Sequence, residues 1–130
     1  PRVPLILVSV VGGESGRTED RDNIARVFLN RLQKGMRLQS DPTVIYGLGS
    51  VFDGDLKRRH LTSDGPFNTY TRAGLPPTPI CNPGASALVA VLTPAMGDWL
   101  YFVGRGDGSS QFSPDLAAHN RAVNQYQRGK

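Results

Sequence analysis

Thr18-Glu19-Asp20-Arg21-Asp22-Asn23-Ile24-Ala25-Arg26-Val27-Phe28-Leu29-Asn30-Arg31-Leu32-Gln33-Lys34-Gly35 is the stretch from which the rest of the chain is read. Ile24, Val27, Phe28 and Leu32 follow the i, i+3, i+4, i+8 spacing of an amphipathic helix. Thr18 is placed to cap it, Glu19, Asp20 and Asp22 suit the positive end of the helix dipole, and Gly35 stops it. Upstream, residues 3–11 form a short apolar run interrupted by Pro4 and Ser9 and closed by Gly12 and Gly13. Periodicity does not separate a buried strand from a buried helix there, and both stay open.

Downstream, residues 36–79 carry the turn signals Asp41-Pro42, Asp53-Gly54, Asp64-Gly65-Pro66 and Gly74-Leu75-Pro76-Pro77, so loops and short elements are expected. Tyr46, Phe52, Phe67 and Tyr70 argue for a structured, site-forming region, because disordered segments lack such aromatics. Asn82 as N-cap and Pro83 at the first position open a further helix with Leu88, Val91 and Leu92 inward, ended before Pro94. Leu100-Tyr101-Phe102-Val103 reads as a strand, residues 104–108 as a turn, and Phe112 as part of a return strand. Ser113-Pro114 opens a last helix with Leu116, Val123 and Tyr126 on one face. These elements predict an α+β fold: one compact domain of several helices packed with a small, mainly antiparallel sheet and a loop-rich site region.

The composition agrees. The 130 residues include 15 Gly and 10 Pro, above the usual roughly 12% but below the level that prevents a packed core. A chain of this length supports one core rather than two. No stretch approaches the roughly 20 apolar residues that span a bilayer. Pro1 follows neither a starting Met nor a leader-like segment, so the chain reads as a piece of something longer. Its one cysteine, Cys81, has no internal disulfide partner, and with two His it assembles no zinc cluster of familiar spacing; no metal or cofactor is expected. The net charge of +4 comes from scattered residues, with one tight group at Lys57, Arg58 and Arg59. Without a basic stripe interleaved with aromatics, nucleic acid is not expected as a partner.

Of two glutamates, Glu19 is explained by the helix dipole. Glu14 ends an apolar run on flexible glycines, which is how an acid with a raised pKa is placed. The aspartates Asp41, Asp53, Asp64 and Asp107 sit at turns, where Asp bonds its own backbone. His60 and His119 are expected to be satisfied or solvated, and Gly104-Arg105-Gly106-Asp107-Gly108 is a hairpin turn rather than a phosphate loop.

The wording of the segments goes further. Glu14-Ser15, Val27-Phe28-Leu29-Asn30-Arg31-Leu32 and the string from Gly35 through Leu38-Gln39-Ser40-Asp41-Pro42-Thr43-Val44-Ile45-Tyr46-Gly47 resemble the endolytic murein transglycosylases of the MltG (YceG-like) family. Phe67-Asn68-Thr69-Tyr70, Gly74-Leu75-Pro76-Pro77, Ile80-Cys81-Asn82-Pro83-Gly84, Tyr101-Phe102-Val103 and His119-Asn120 continue the likeness in family order. The resemblance implies that residues 1–130 are a catalytic domain, whose family context includes an N-terminal membrane anchor and a small LysM-like domain. It implies cleavage of the MurNAc-β-1,4-GlcNAc bond within peptidoglycan strands to 1,6-anhydro-MurNAc ends, at the outer face of the bacterial plasma membrane and beside the penicillin-binding synthases. Hydrolytic glycosidases use two carboxylates, whereas this chemistry needs one, serving as acid and then base. Glu14 is that residue; holding it protonated near neutral pH needs its pKa raised from about 4.3 to roughly 6, at a cost of about 2 kcal/mol. Gln39, Ser40, Asp41, Tyr46, Asn68, Thr69 and Tyr70 are implied to line the sugar groove. The chain departs from the family at Gly12 and Gly13, where Glu-Lys is common, and at Ser110, where a His is usual, and these departures motivate the alternative of a catalytically impaired glycan-binding or synthase-scaffolding domain.

Overall fold

The apolar run at the start folds as a helix. In a computed structural model describing residues 2–14, 20–81 and 84–128, helix α1 spans Arg2–Glu14 and α2 spans Arg21–Gln33. The proposed caps Thr18, Asn82 and Pro83, and also Ser15 and Glu19, lie outside the described residues. Helix α3 follows at Asp41–Leu48, with a 3-10 turn at Gly49–Val51, and a five-residue α4 at Arg58–Thr62. Helix α5 covers Ala85–Leu92; strands β1 (Tyr101–Gly104) and β2 (Ser110–Ser113) pair antiparallel with Phe102 opposite Phe112. Helix α6, Leu116–Val123, continues into a π turn at Asn124–Arg128. The α+β expectation therefore holds, with residues 36–79 built of loops around two short helices. Among the described residues, no helix is long and apolar enough to cross a membrane.

Helix α1 is buried all along its middle: Ile6, Leu7, Val8, Ser9, Val10 and Val11 are each less than a tenth exposed. This all-round burial explains why no single face was visible in the sequence. Ser9, the polar interruption, is a weld: its hydroxyl donates to Ile6 O at 2.7 Å and accepts from Ile80 N–H at 3.0 Å, tying the loop before α5 to α1. Against α1 lie Ile24, Ala25 and Phe28 of α2, with Leu38 and Ala90. Phe102 closes the core edge-to-face on Phe28, ring centroids 6.0 Å apart.

Two expected faces differ from the structure. Helix α5 packs on α1 and α2 through Ala87 and Ala90, while Leu88 and Leu92 point outward. Small residues allow the backbones to approach: a Cβ on Gly12 of α1 would lie 3.6 Å from Ala87 Cβ. Helix α6 buries Ala122 and leaves Leu116 more than half exposed.

Helix α2 also acts through its polar side. Arg26 Nε donates to Ala95 O at 2.6 Å, Asn30 Nδ2 to Trp99 O at 2.9 Å, and Arg31 Nε to Leu100 O at 2.6 Å. These bonds satisfy the carbonyls of an irregular segment and deliver β1 to the molecule's one sheet among the described residues.

Candidate active site

The C-terminal end of α1, the start of α3, β1 and α6 enclose a cleft of about 420 Å³. Glu14, Gln39, Asp41 and Tyr70 line it together with Arg31, Tyr101, His119 and Asn120, and Arg31 Nη1 reaches Gln39 Oε1 at 3.4 Å. The end of α1 approaches α3 closely because residue 13 is glycine: a Cβ there would stand 3.1 Å from Pro42 Cβ, so any side chain requires the proline ring to give.

Glu14 is mostly buried, and that burial, reinforced by the Asp41 carboxylate, pushes its pKa up from 4.5 to about 7; the neighbouring Ser40 hydroxyl pulls weakly the other way. Near neutral pH, Glu14 is therefore poised both to hold and to release a proton. Asp41 Oδ1 accepts from the Tyr70 hydroxyl at 2.5 Å. Burial and this bond push the Tyr70 phenol well above its ordinary value, so it stays a donor.

Gln39 occupies the left-handed region with φ 54°, unusual for a residue with a Cβ. It is held there by Gln39 N–H on Thr69 O at 3.2 Å and Ser40 N–H on Thr69 Oγ1 at 2.9 Å. Such strain persists only where its surroundings fix it, and here it lies on the cleft wall.

Three further lining residues form a stack. Arg31 is buried, its Nη1 bonds Arg37 O at 2.7 Å, and its guanidinium carbon lies 4.9 Å from the centre of the Tyr101 ring. Tyr101 stacks in turn on His119, centroids 4.9 Å apart and planes 23° from parallel. Burial, then the Arg31 charge, lowers the His119 pKa below 6.5, so the imidazole is neutral at pH 7. Its Nδ1 is buried without a hydrogen-bond partner among the described residues.

Of the residues inferred from the sequence, the structure thus brings Glu14, Gln39, Asp41 and Tyr70 together on the cleft, with Ser40 buried directly behind Glu14. It places Thr69 and Asn68 one layer back. Thr69 Oγ1 pairs with Thr43 Oγ1 at 2.8 Å, and the Asn68 amide donates to the carbonyls of His60, Leu61 and Ser63 while its oxygen accepts from Tyr70 N–H and Thr71 N–H. Tyr46 faces away, exposed and tilted against Phe67 at 5.0 Å. Arg31, Tyr101, His119 and Asn120 were not singled out for the site. Arg31 did carry a signal: it shares the i, i+4, i+7 stripe of Ile24 and Phe28, a charge on an apolar face. Two of the turn aspartates behave as expected, Asp53 capping Asp55 N–H at 3.0 Å and Asp107 capping Ser109 N–H at 2.9 Å, whereas Asp41 is engaged by the Tyr70 hydroxyl and Asp64 chiefly by the Arg72 and Thr71 side chains.

A family model described as the YceG-like family matches residues 1–125. The chain is 43% identical over 122 residues to a Bacillus subtilis protein named endolytic murein transglycosylase, an overlap of 94% of this chain and 34% of that protein. A Streptococcus pneumoniae (strain D39) protein of the same name is 31% identical over 131 residues, 97% of this chain and 24% of that protein. The crystal structure of a yceG-like protein from Listeria monocytogenes superposes with a TM-score of 0.83 at 42% identity, over 92% of this chain and 38% of that one. The chain thus spans about a third or less of the length of these two curated relatives.

Proposed function

Because the chain belongs to the YceG-like family, we propose that it cleaves murein glycan strands by transglycosylation, with Glu14 as general acid and then general base. The observation that carries this reading is a carboxyl with a pKa of about 7 on the wall of an open cleft. A group of that pKa both gives and takes a proton at neutral pH. The family likeness supplies the substrate, the MurNAc-β-1,4-GlcNAc bond. Protonated Glu14 gives its proton to the glycosidic oxygen as the C1–O bond breaks. The resulting carboxylate takes the proton of the muramic C6 hydroxyl as O6 closes on C1, leaving a 1,6-anhydro end and regenerating the acid without consuming water.

Asp41 has two parts in this scheme. Its charge holds the proton on Glu14, and it fixes the Tyr70 hydroxyl at the cleft mouth. Gln39 and Asn120 offer amides to the N-acetyl and hydroxyl groups of the sugars, and neutral His119 lines the cleft beside them. The same reading extends to the whole protein: a membrane-anchored, extracytoplasmic enzyme with a LysM-like domain, working beside penicillin-binding synthases on nascent strands.

Mass spectrometry of uncrosslinked strands incubated with the protein and with Glu14→Gln tests the reaction. Anhydro ends are expected from the parent, with a loss of at least about 10²-fold in the variant. Strands left intact by both would overturn the catalytic reading in favour of a binding domain. A second reading, hydrolysis, has its own observation: Glu14 and Asp41 share the cleft and feel each other's charge. Asp41 as water-activating base would give reducing ends instead, and the same spectra separate the two.

A further inference from the structure

Helix α3 has a second cleft at its other end. Val44, Gly47 and Leu48 of α3, with Phe67, form an apolar floor to a cavity of about 490 Å³, within the range of small-ligand sites. From Asp41 on the first cleft to Leu48 on the second, the helix advances about 10 Å. The floor depends on a close approach: a Cβ on Gly47 would stand 3.0 Å from Phe67 Cβ, so glycine is what lets the phenylalanine lie against the helix.

The rim is cationic. Arg59 supplies the charge and lines it with His60, while the neighbouring Lys57 and Arg58 lie outside the lining. Asp64, the rim's carboxylate, is already engaged by Arg72 Nε at 3.0 Å, Arg72 Nη2 at 3.2 Å and Thr71 Oγ1 at 2.7 Å. Lys57 has Asp53 at 3.6 Å, whereas Arg59 has no salt-bridge partner among the described residues. His60 Nδ1 accepts Lys57 N–H at 2.9 Å, which leaves its other ring nitrogen to carry the proton as a donor. The Asn68 amide facing this cleft is consumed by three carbonyls. Donors over an apolar floor, with no free carboxylate to accept from hydroxyls, suit an anion with small aliphatic groups better than a sugar, which needs donors and acceptors together.

We propose that this cleft binds a short peptide bearing free carboxylates and methyl-sized side chains, of the kind that branches from the muramic sugars of murein. The proposal rests on the murein reading above: with the glycan in the first cleft, the second lies a helix length away, within reach of a branch on the same strand.

The probe is the synthetic tripeptide alanyl-γ-glutamyl-alanine, titrated into the ¹⁵N-labelled protein. Amide shifts are expected at residues 44–48, 59–60 and 67, and amidating the peptide's carboxylates should abolish them. Arg59→Glu, an exposed position, should weaken binding by about tenfold or more, while the equal charge change Arg58→Glu, outside the cleft, should leave it within about twofold. No shifts, shifts confined to the Glu14 cleft, or equal effects of Arg58→Glu and Arg59→Glu would overturn the proposal. Cleavage is scored in parallel on strands with and without peptides. Cleavage of bare strands without tripeptide binding removes the second site and leaves the reaction standing. Binding without cleavage of either strand type removes the reaction and leaves the site.

Discussion

The molecule contains two acid-and-arginine regions at opposite ends of α3, and they behave oppositely. In the first, Glu14 is raised to about 7 by burial and by Asp41, while burial lowers the Arg31 pKa. In the second, Asp64 is brought down to about 2, chiefly by its bonds to Arg72 and Thr71, and Arg72 is raised by Asp64. The residue types are nearly the same. What differs is whether the charges meet each other or meet the protein: Arg31 gives its donors to the Leu100 and Arg37 carbonyls, and no ion pair to Glu14 forms among the described residues, whereas Arg72 gives its donors to the acid. Burial beside a second carboxylate, rather than pairing with an arginine, keeps the Glu14 carboxyl poised for proton transfer.

The two arginines give the widest contrast. Arg31→Leu leaves two carbonyls without their donors beneath β1, and is expected to cost about 2–4 kcal/mol in urea unfolding. Arg72→Leu should leave the midpoint where it is, because its pair is exposed and screened. Equal costs at the two positions would break the comparison.

Glu14→Gln tests the other half of the first region, through stability rather than rate. A carboxyl whose folded pKa is raised from 4.5 to about 7 stabilises the fold only while protonated. Its contribution is complete below about pH 4.5, declines between 4.5 and 7, and is gone above 7. The penalty of the charged form therefore appears at high pH, and its removal should stabilise the variant by about 1–3 kcal/mol at pH 8, with no gain at pH 4. Asp41→Asn is a finer probe: with the neighbouring charge gone, Glu14 should titrate lower, moving the alkaline limb of the pH–rate profile down by roughly half a unit to one unit. No movement would mean that burial alone raises Glu14.

How much of this was legible in the sequence follows from where each signal resides. Helix α2 was readable because one face of it meets water; α1 was not, because burial on all sides erases periodicity. Glu14 stood out by its setting after an apolar run. Leu88 and Leu92 were misplaced because the packing of α5 is decided by alanines that meet Gly12, and small-residue contacts have no hydrophobic signature. Asn68 and Thr69 were expected to line the groove and instead stand one layer behind it, because one sequence cannot distinguish a side chain that touches a ligand from one that holds the loop behind it. The Arg31–Tyr101–His119 stack joins three elements distant in sequence, and only the tertiary fold assembles it.

The smallest expected effect is also the sharpest check on how pKa shifts are read. Asp64 is displaced downward as Glu14 is displaced upward, yet its side chain is 60% exposed and that of Arg72 is 52% exposed. A lowered carboxyl contributes stability above its ordinary pKa of 3.8 and loses it as pH falls toward 2, so at pH 7 any contribution is fully present. Asp64→Asn should nonetheless leave the pH 7 unfolding midpoint unchanged, since water and salt screen the pair and two long side chains lose freedom in forming it. NMR titration of the Asp64 carboxyl in the parent, expected to have its midpoint near pH 2, then separates displacement from stabilisation. A normal titration would mean the exposed pair is not formed in solution; a displaced one with a destabilised variant would mean that exposed pairs and buried acids in this fold follow one rule rather than two.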